Sequence, residues 1–200
     1  MDTNPKTKDV KKAMLLSLIP GLGQFYNEQK FKGFIFLGVF IAFLIELFVF
    51  GVSAIQGFIT LGSVPMEDHS LFLLIEGTMQ IIITVIFIIF YVINLQDAKN
   101  VAKRWNNGLK VNKTVKEIIN NVLDSGFPYL LTLPAYIVMT IAIIFPVLVT
   151  LFMAFTNYDF KHIPPASIID WVGMKNFFSI FFLSSYRATF GAVFSWTVIW

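Results

Sequence analysis

The chain has 200 residues, of which 56% are hydrophobic and only 14% charged, with a mean hydropathy of +0.74 and a formal net charge of +3. So few charges cannot shield so much apolar surface from water, which excludes a soluble globular fold. The absence of cysteine excludes disulfides, thiolate metal sites and c-type haem.

Residues 1–12 are polar and lysine-rich. From Ala13 to Tyr26 the chain turns apolar, but this run is too short to span a bilayer and is broken by Pro20, Gly21 and Gly23. The reading preferred here is a short helix over Lys11 to Ile19 lying in the membrane interface, its lysines reaching toward headgroups. A re-entrant turn is the alternative. Gly21-Leu22-Gly23 does not read as a phosphate loop, because no Lys-Ser/Thr follows and no strand precedes it.

Three long apolar runs come next: Phe34 to Phe50, broken only by Glu46; Leu71 to Leu95, with the single charge Glu76; and Tyr129 to Phe155, with none. A hydrocarbon core of about 30 Å needs roughly 20 helical residues, so each run is expected to span once its polar ends are included. A fourth run, Ala188 to Trp200, starts in the same way and halts with the chain, as expected of a piece of a longer protein. The expected fold is all-α and polytopic: three full transmembrane helices, the start of a fourth and a short N-terminal interfacial helix. The expected divisions are a tail and interfacial helix over 1–33, a hairpin over 34–95, a loop over 96–128 and the start of a core over 129–200. The first apolar run begins too far along, and lacks a small-residue cleavage pattern, to read as a signal peptide.

Charge sets the expected orientation. Lys6, Lys8, Lys11, Lys12, Lys30 and Lys32 precede the first run, and Lys99, Lys103, Arg104, Lys110, Lys113 and Lys116 follow the second. Between the first two runs lie Glu67, Asp68 and His69, with no Lys or Arg. Cationic segments stay on the cytoplasmic side, so the N-terminus and 96–128 are expected inside, and 52–70 and 156–187 outside. The same bias accounts for the lysines without nucleic acid. Within 96–128, Val115, Ile118, Ile119, Val122 and Leu123 recur at helical spacing. They form one apolar face, either laid along the membrane or presented to a partner.

Glu46 and Glu76 are functional candidates because a charge within a bilayer is costly. Gln80, one turn after Glu76, offers a structural partner, and structural pairing is preferred to a transport role. Pro134 and Pro146 in the third run are expected to bend it, for packing or as a hinge. Tyr129 and Tyr158 bracket that run at interfacial depth. His69 and His162 lack neighbouring ligands at metal spacing. The Asn112-Lys113-Thr114 sequon falls on the side expected inside, where it would not be glycosylated. No nucleophilic or acid–base constellation can be assembled.

Phe127 to Phe178 carries an ordered set of matches to a known family. They are Leu130-Leu131 with Pro134-Ala135, then Pro146 deep in the helix, then Phe155-Thr156-Asn157-Tyr158-Asp159. Pro164-Pro165, Asp170-Trp171, Val172-Gly173, Asn176 and Phe177 complete the set. This stretch resembles the sugar permeases of type I ABC importers, and most of all the maltodextrin permease subunit with extra N-terminal spans. Met174-Lys175-Asn176 departs from the usual final element and leaves the sugar open. The opening Pro20-Gly21-Leu22-Gly23-Gln24-Phe25-Tyr26, with Lys32-Gly33 after it, is similar to such permeases in Gram-positive bacteria.

The resemblance implies alternating access in a cell membrane and a second permease subunit. It also implies a cytoplasmic ATPase dimer that hydrolyses ATP in place of this chain, and an extracellular sugar-binding lipoprotein. It implies no cofactor. The family's ATPase-docking loop and most sugar-contacting helices lie beyond a fourth span, so no substrate-binding residue is assigned. A four-span anchor or scaffold complete at Trp200 is the alternative from another class.

Overall fold

The computed structural model describes residues 7–109, 111, 117, 120, 123, 124 and 126–200. Of the expected amphipathic helix, Val115, Ile118, Ile119 and Val122 lie outside the described residues, as do Asn112 to Thr114 of the sequon. Among the described residues the regular elements are helices, with no named strand, and three of the helices are long and apolar enough to cross a membrane. These are α3 (Lys30–Thr60), α4 (Ser70–Asn106) and α5 (Phe127–Met153). Two short helices precede them, α1 (Val10–Leu16) and α2 (Leu22–Tyr26). After α5 come α6 (Lys175–Phe182) and α7 (Ser184–Ile199), separated by a 93° bend.

Local chemistry sets the ends of these helices. The Asp9 carboxylate accepts from the Lys11 and Lys12 amides at 2.8 and 3.2 Å and so starts α1. The expected helix over Lys11 to Ile19 is shorter than read, because Pro20 and Gly21 (φ +96°) turn the chain into α2. Gly108 (φ +71°) closes α4: its amide bonds Trp105 O and the Leu109 amide bonds Arg104 O, both at 3.0 Å. At 37 residues, α4 is about 55 Å long, well beyond a hydrocarbon core of about 30 Å. Its excess therefore projects past the apolar layer.

Two local features of the long helices were not legible in the periodicity. A π-helical turn, Leu47–Gly51, follows Glu46 in α3, and another, Thr140–Ile144, precedes Pro146 in α5. Proline withholds an amide from the helix ladder, and a widened turn just before it redistributes the freed carbonyls. Pro134 lies inside α5 as well. The outward side chains of α5 from Phe127 to Met139 are exposed, as befits a surface meant for acyl chains.

The chain forms two compact units, the described residues of Met1–Val52 with Ile81–Met139, and Ser53–Gln80 with Thr140–Trp200. In the first, α3 and α4 pack through aromatic rings: Phe43 stacks on Phe87 at 3.7 Å between centroids, and Phe36 meets Phe90 at 5.0 Å. In the second, Leu61, Leu74 and Ile169 are fully buried, with Phe58, Leu71, Val149, Phe152 and Trp171 around them. Here the α3–α4 contact is made by glycines. A Cβ on Gly77 would collide with Phe58, and one on Gly57 would reach within 2.8 Å of Leu73. Close backbone approach of this kind replaces the hydrophobic driving force that lipid does not supply.

Gly77→Ala is expected to destabilise the protein by about 1–3 kcal/mol through overpacking. Gly38→Ala, where nothing lies within 4 Å, is the control and should not destabilise. Thermal unfolding in detergent measures both.

Candidate functional site

The later part of the resemblance, from Phe155 to Asn176, forms a clamp over the C-terminal ends of α3 and α5. A helix leaves its last carbonyls without intrahelical partners, and here they are met from the 156–176 segment. The Trp171 indole N–H donates to Phe58 O at 3.0 Å and Ile59 O at 3.1 Å in the last turn of α3. Asn176 Nδ2 donates to Ala154 O at 2.9 Å and Thr156 O at 2.7 Å. The Val172 and Gly173 amides donate to Phe155 O at 2.8 and 3.1 Å. Asn157 and Asp170 lock the segment in register: the Asn157 amide donates to Asp170 O at 3.0 Å and the Asp170 amide to Asn157 Oδ1 at 2.7 Å. A bridge pairs Thr156 with Trp171. Two further bonds bring in the α3–α4 connection. The Met66 amide donates to Pro165 O at 2.8 Å, and the Ile169 amide to the buried Ser70 hydroxyl at 3.2 Å.

Two carboxylates shape the turns of this clamp. The Ser63 and Val64 amides, at 2.6 and 2.9 Å, hold the Asp68 carboxyl below the usual carboxylate range. The His162 side chain, at 2.7 Å, does the same for Asp159, helped by the Lys161 amide. The Asp159–His162 turn leaves Phe160 almost wholly exposed.

A second polar assembly, in the other unit, joins α1 and α2 to α4. Gln24 Nε2 donates to Asn94 O at 3.1 Å and Asp97 Oδ2 at 3.3 Å, and Asn27 Nδ2 to Ala98 O at 2.8 Å. Asn94 reaches back, donating to Ser17 O at 2.8 Å and accepting from the Gly21 amide at 3.3 Å. Lys32 pairs with Asp97 at 2.8 Å. Ser17, Gln24, Asn27 and Asn94 are all buried. Gly21-Leu22-Gly23 is thus a packing element: a Cβ on Gly23 would collide with Ser17 Oγ, and one on Gly21 with the Gly33 carbonyl.

The other residues singled out in the sequence are scattered. Glu76 is exposed on α4 while Gln80 is buried, so the two take different surroundings. Glu46 is half-buried just before the π-helical turn of α3. His69 stacks on Phe72 at 4.1 Å, and His162 belongs to the Asp159 turn. Among the described residues no group of three or more His, Asp or Glu is placed to hold a metal. Sequence reasoning missed Asn94, Asp97 and Asn27. Their signal was a polar pair near the end of an otherwise apolar run, facing a polar pair in a broken one.

Over 97% of its length the chain is 60% identical to a maltodextrin transport system permease protein of Bacillus subtilis. Over 98% it is 51% identical to one of Streptococcus pneumoniae. It is also 42% identical, over 94%, to a galactooligosaccharides transport system permease protein of Bacillus subtilis. The chain spans about 45% of the length of each of these relatives. No protein-family model and no solved structure matches it. The chain is a homologue of sugar-transport permeases, and the resemblance read between Phe127 and Phe178 extends along nearly all of it.

Trp171→Phe keeps a ring against Phe58 but removes the N–H, leaving two helix-end carbonyls short of a donor. It should cost about 1–3 kcal/mol, read as a lowered unfolding midpoint. Asp68 gives a pH dependence of defined sign. Its depressed folded-state pKa contributes stability present above the ordinary carboxylate pKa of about 3.9 and lost as pH falls through the folded value. Hydrogen exchange at Ser63 and Val64, corrected for intrinsic rates, should accelerate on acidification, and Asp68→Asn should remove that dependence.

Proposed function

We propose that this chain forms part of the membrane-spanning permease of an ATP-driven sugar importer, with maltodextrin as the sugar. The observation that carries this reading is the 60% identity to a maltodextrin permease over 97% of the chain. Maltodextrin is favoured over galactooligosaccharide because two maltodextrin relatives, at 60% and 51%, stand above the galactooligosaccharide relative at 42%. A four-span anchor without transport has no comparable support.

The importer works by alternating access, with ATP hydrolysed by a cytoplasmic ATPase dimer rather than by this chain. A second permease subunit and an extracellular sugar-binding lipoprotein complete the system, in the cell membrane of a Gram-positive bacterium. The charge asymmetry supports a cytoplasmic N-terminus and 96–128 segment, and an extracellular clamp over 156–176. In that orientation the clamp holds the outer ends of α3 and α5 in fixed register, as rigid-body motion of helices requires. Glu46 and Glu76 serve structure rather than transport.

Deleting the gene that encodes this chain should abolish uptake of radiolabelled maltodextrin, with restoration by the intact gene; unchanged uptake would remove the sugar assignment. Orientation is read separately. The chain lacks cysteine, so Asn107→Cys and Ala166→Cys provide clean reporters. An impermeant thiol reagent on intact cells should label position 166 and spare 107, and the opposite pattern would reverse the topology.

A further inference from the structure

Lys8 is held at the C-terminal end of α4 by contacts to its backbone and to its side chain. Its amide donates to Asn106 Oδ1 at 2.8 Å, and Asn106 Nδ2 donates back to Lys8 O at 2.8 Å. One side-chain amide thus grips the N-terminal arm, residues 7–9 ahead of α1, through both backbone groups of Lys8. The ammonium lies 4.8 Å from the centroid of the Trp105 ring and 5.2 Å from that of Tyr26. It donates to Tyr26 O at 3.0 Å and pairs with Glu28 at 2.8 Å. Only 14% of the Lys8 side chain is exposed. Two aromatic faces, a carboxylate and a carbonyl thus surround one cation largely withdrawn from water, where each attraction is stronger than at an open surface.

The backbone of Glu28 points the same way. Glu28 has φ +64°, in the left-handed region that disfavours side chains. Its amide bonds Phe25 O at 3.0 Å and the Gln29 amide bonds Gln24 O at 2.8 Å, so Glu28 occupies the helix-ending position that glycine fills without strain. A side chain retained in an unfavourable conformation points to a role for that side chain, and the role on view is the ion pair with Lys8. The partners Trp105 and Asn106 immediately precede the turn at Gly108 that ends α4. The arm and the exit of α4 are therefore tied through one charge.

We propose that Lys8 is a charge-dependent latch: its ammonium closes the N-terminal arm onto the end of α4, and loss of that charge frees the arm and the helix end together. Tyr26 couples the latch to the start of α1, because its hydroxyl accepts from the Asp9 amide at 3.1 Å and Lys12 lies 5.6 Å from its ring. The latch does not depend on transport, so its test stands apart from the proposed function.

A nitroxide on Leu109→Cys, in the otherwise cysteine-free chain reconstituted in lipid, reports the mobility of the α4 exit. The unmodified latch should give a mostly immobilised spectrum. Lys8→Gln and Lys8→Met should raise the mobile fraction several-fold. Lys8→Arg should stay near the starting spectrum, since a guanidinium keeps the charge and stacks on aromatic rings. Glu28→Gly relieves the turn while removing the carboxylate, so a rise in mobility there cannot come from backbone strain. Lys8→Gln as immobile as the parent would overturn the latch. Lys8→Arg as mobile as Lys8→Gln would overturn its dependence on charge. Unchanged mobility in Glu28→Gly would remove the carboxylate from it.

Discussion

In hydrocarbon, the interior hydrogen bonds of a helix are self-supplied, but its last carbonyls are not. Where long apolar helices end, something must donate to them before the chain can turn. At the C-terminal end of α3 the donor comes from a segment distant in sequence, Trp171 serving Phe58 and Ile59; at α5 Asn176 serves the cap residue Ala154 and, with Val172 and Gly173, the Phe155 and Thr156 carbonyls just beyond it. The register of the 156–176 segment follows from this demand. Fixing the indole and the Asn176 amide over their carbonyls leaves Asp159 and His162 to form the projecting turn. It also places Pro165 where the Met66 amide can reach its carbonyl.

The α1–α2–α4 assembly answers the related problem of packing a short, broken segment against a long helix. Seven- and five-residue helices are too short to be stable alone. Buried amide contacts from Gln24, Asn27 and Asn94 hold them, and Gly21 and Gly23 let the backbones approach closely enough for those bonds to form. Buried amide donors aimed at particular carbonyls favour one arrangement, because a slip would strand each of them away from water. The glycine-rich opening of the chain and the Asp170-to-Phe177 element are thus both explained as structural devices at helix ends.

The spanning helices were legible in the sequence because hydropathy is a property of each run by itself. Phe34 to Phe50, Leu71 to Leu95 and Tyr129 to Phe155 each appear in the structure as a helix long enough to cross a bilayer. Each helix runs beyond its apolar run on at least one side, by as much as eleven residues in α4, since polar residues continue a helix once it has started. The resemblance to sugar-transport permeases was equally legible, because it rests on an ordered string of residue types.

Tertiary structure alone decided which polar groups meet. Gln24 and Asn94 are 70 residues apart, and Trp171 and Phe58 are 113 apart, separations over which no local periodicity carries information. The π-helical turns at Leu47–Gly51 and Thr140–Ile144 leave no mark in the hydropathy of their runs. The sequence by itself determined an all-α membrane protein and its likeness to sugar-transport permeases, because burial in lipid and motif order are written residue by residue. Which donor satisfies which helix end was decided only when the chain folded, because a hydrogen bond needs both of its partners in one place.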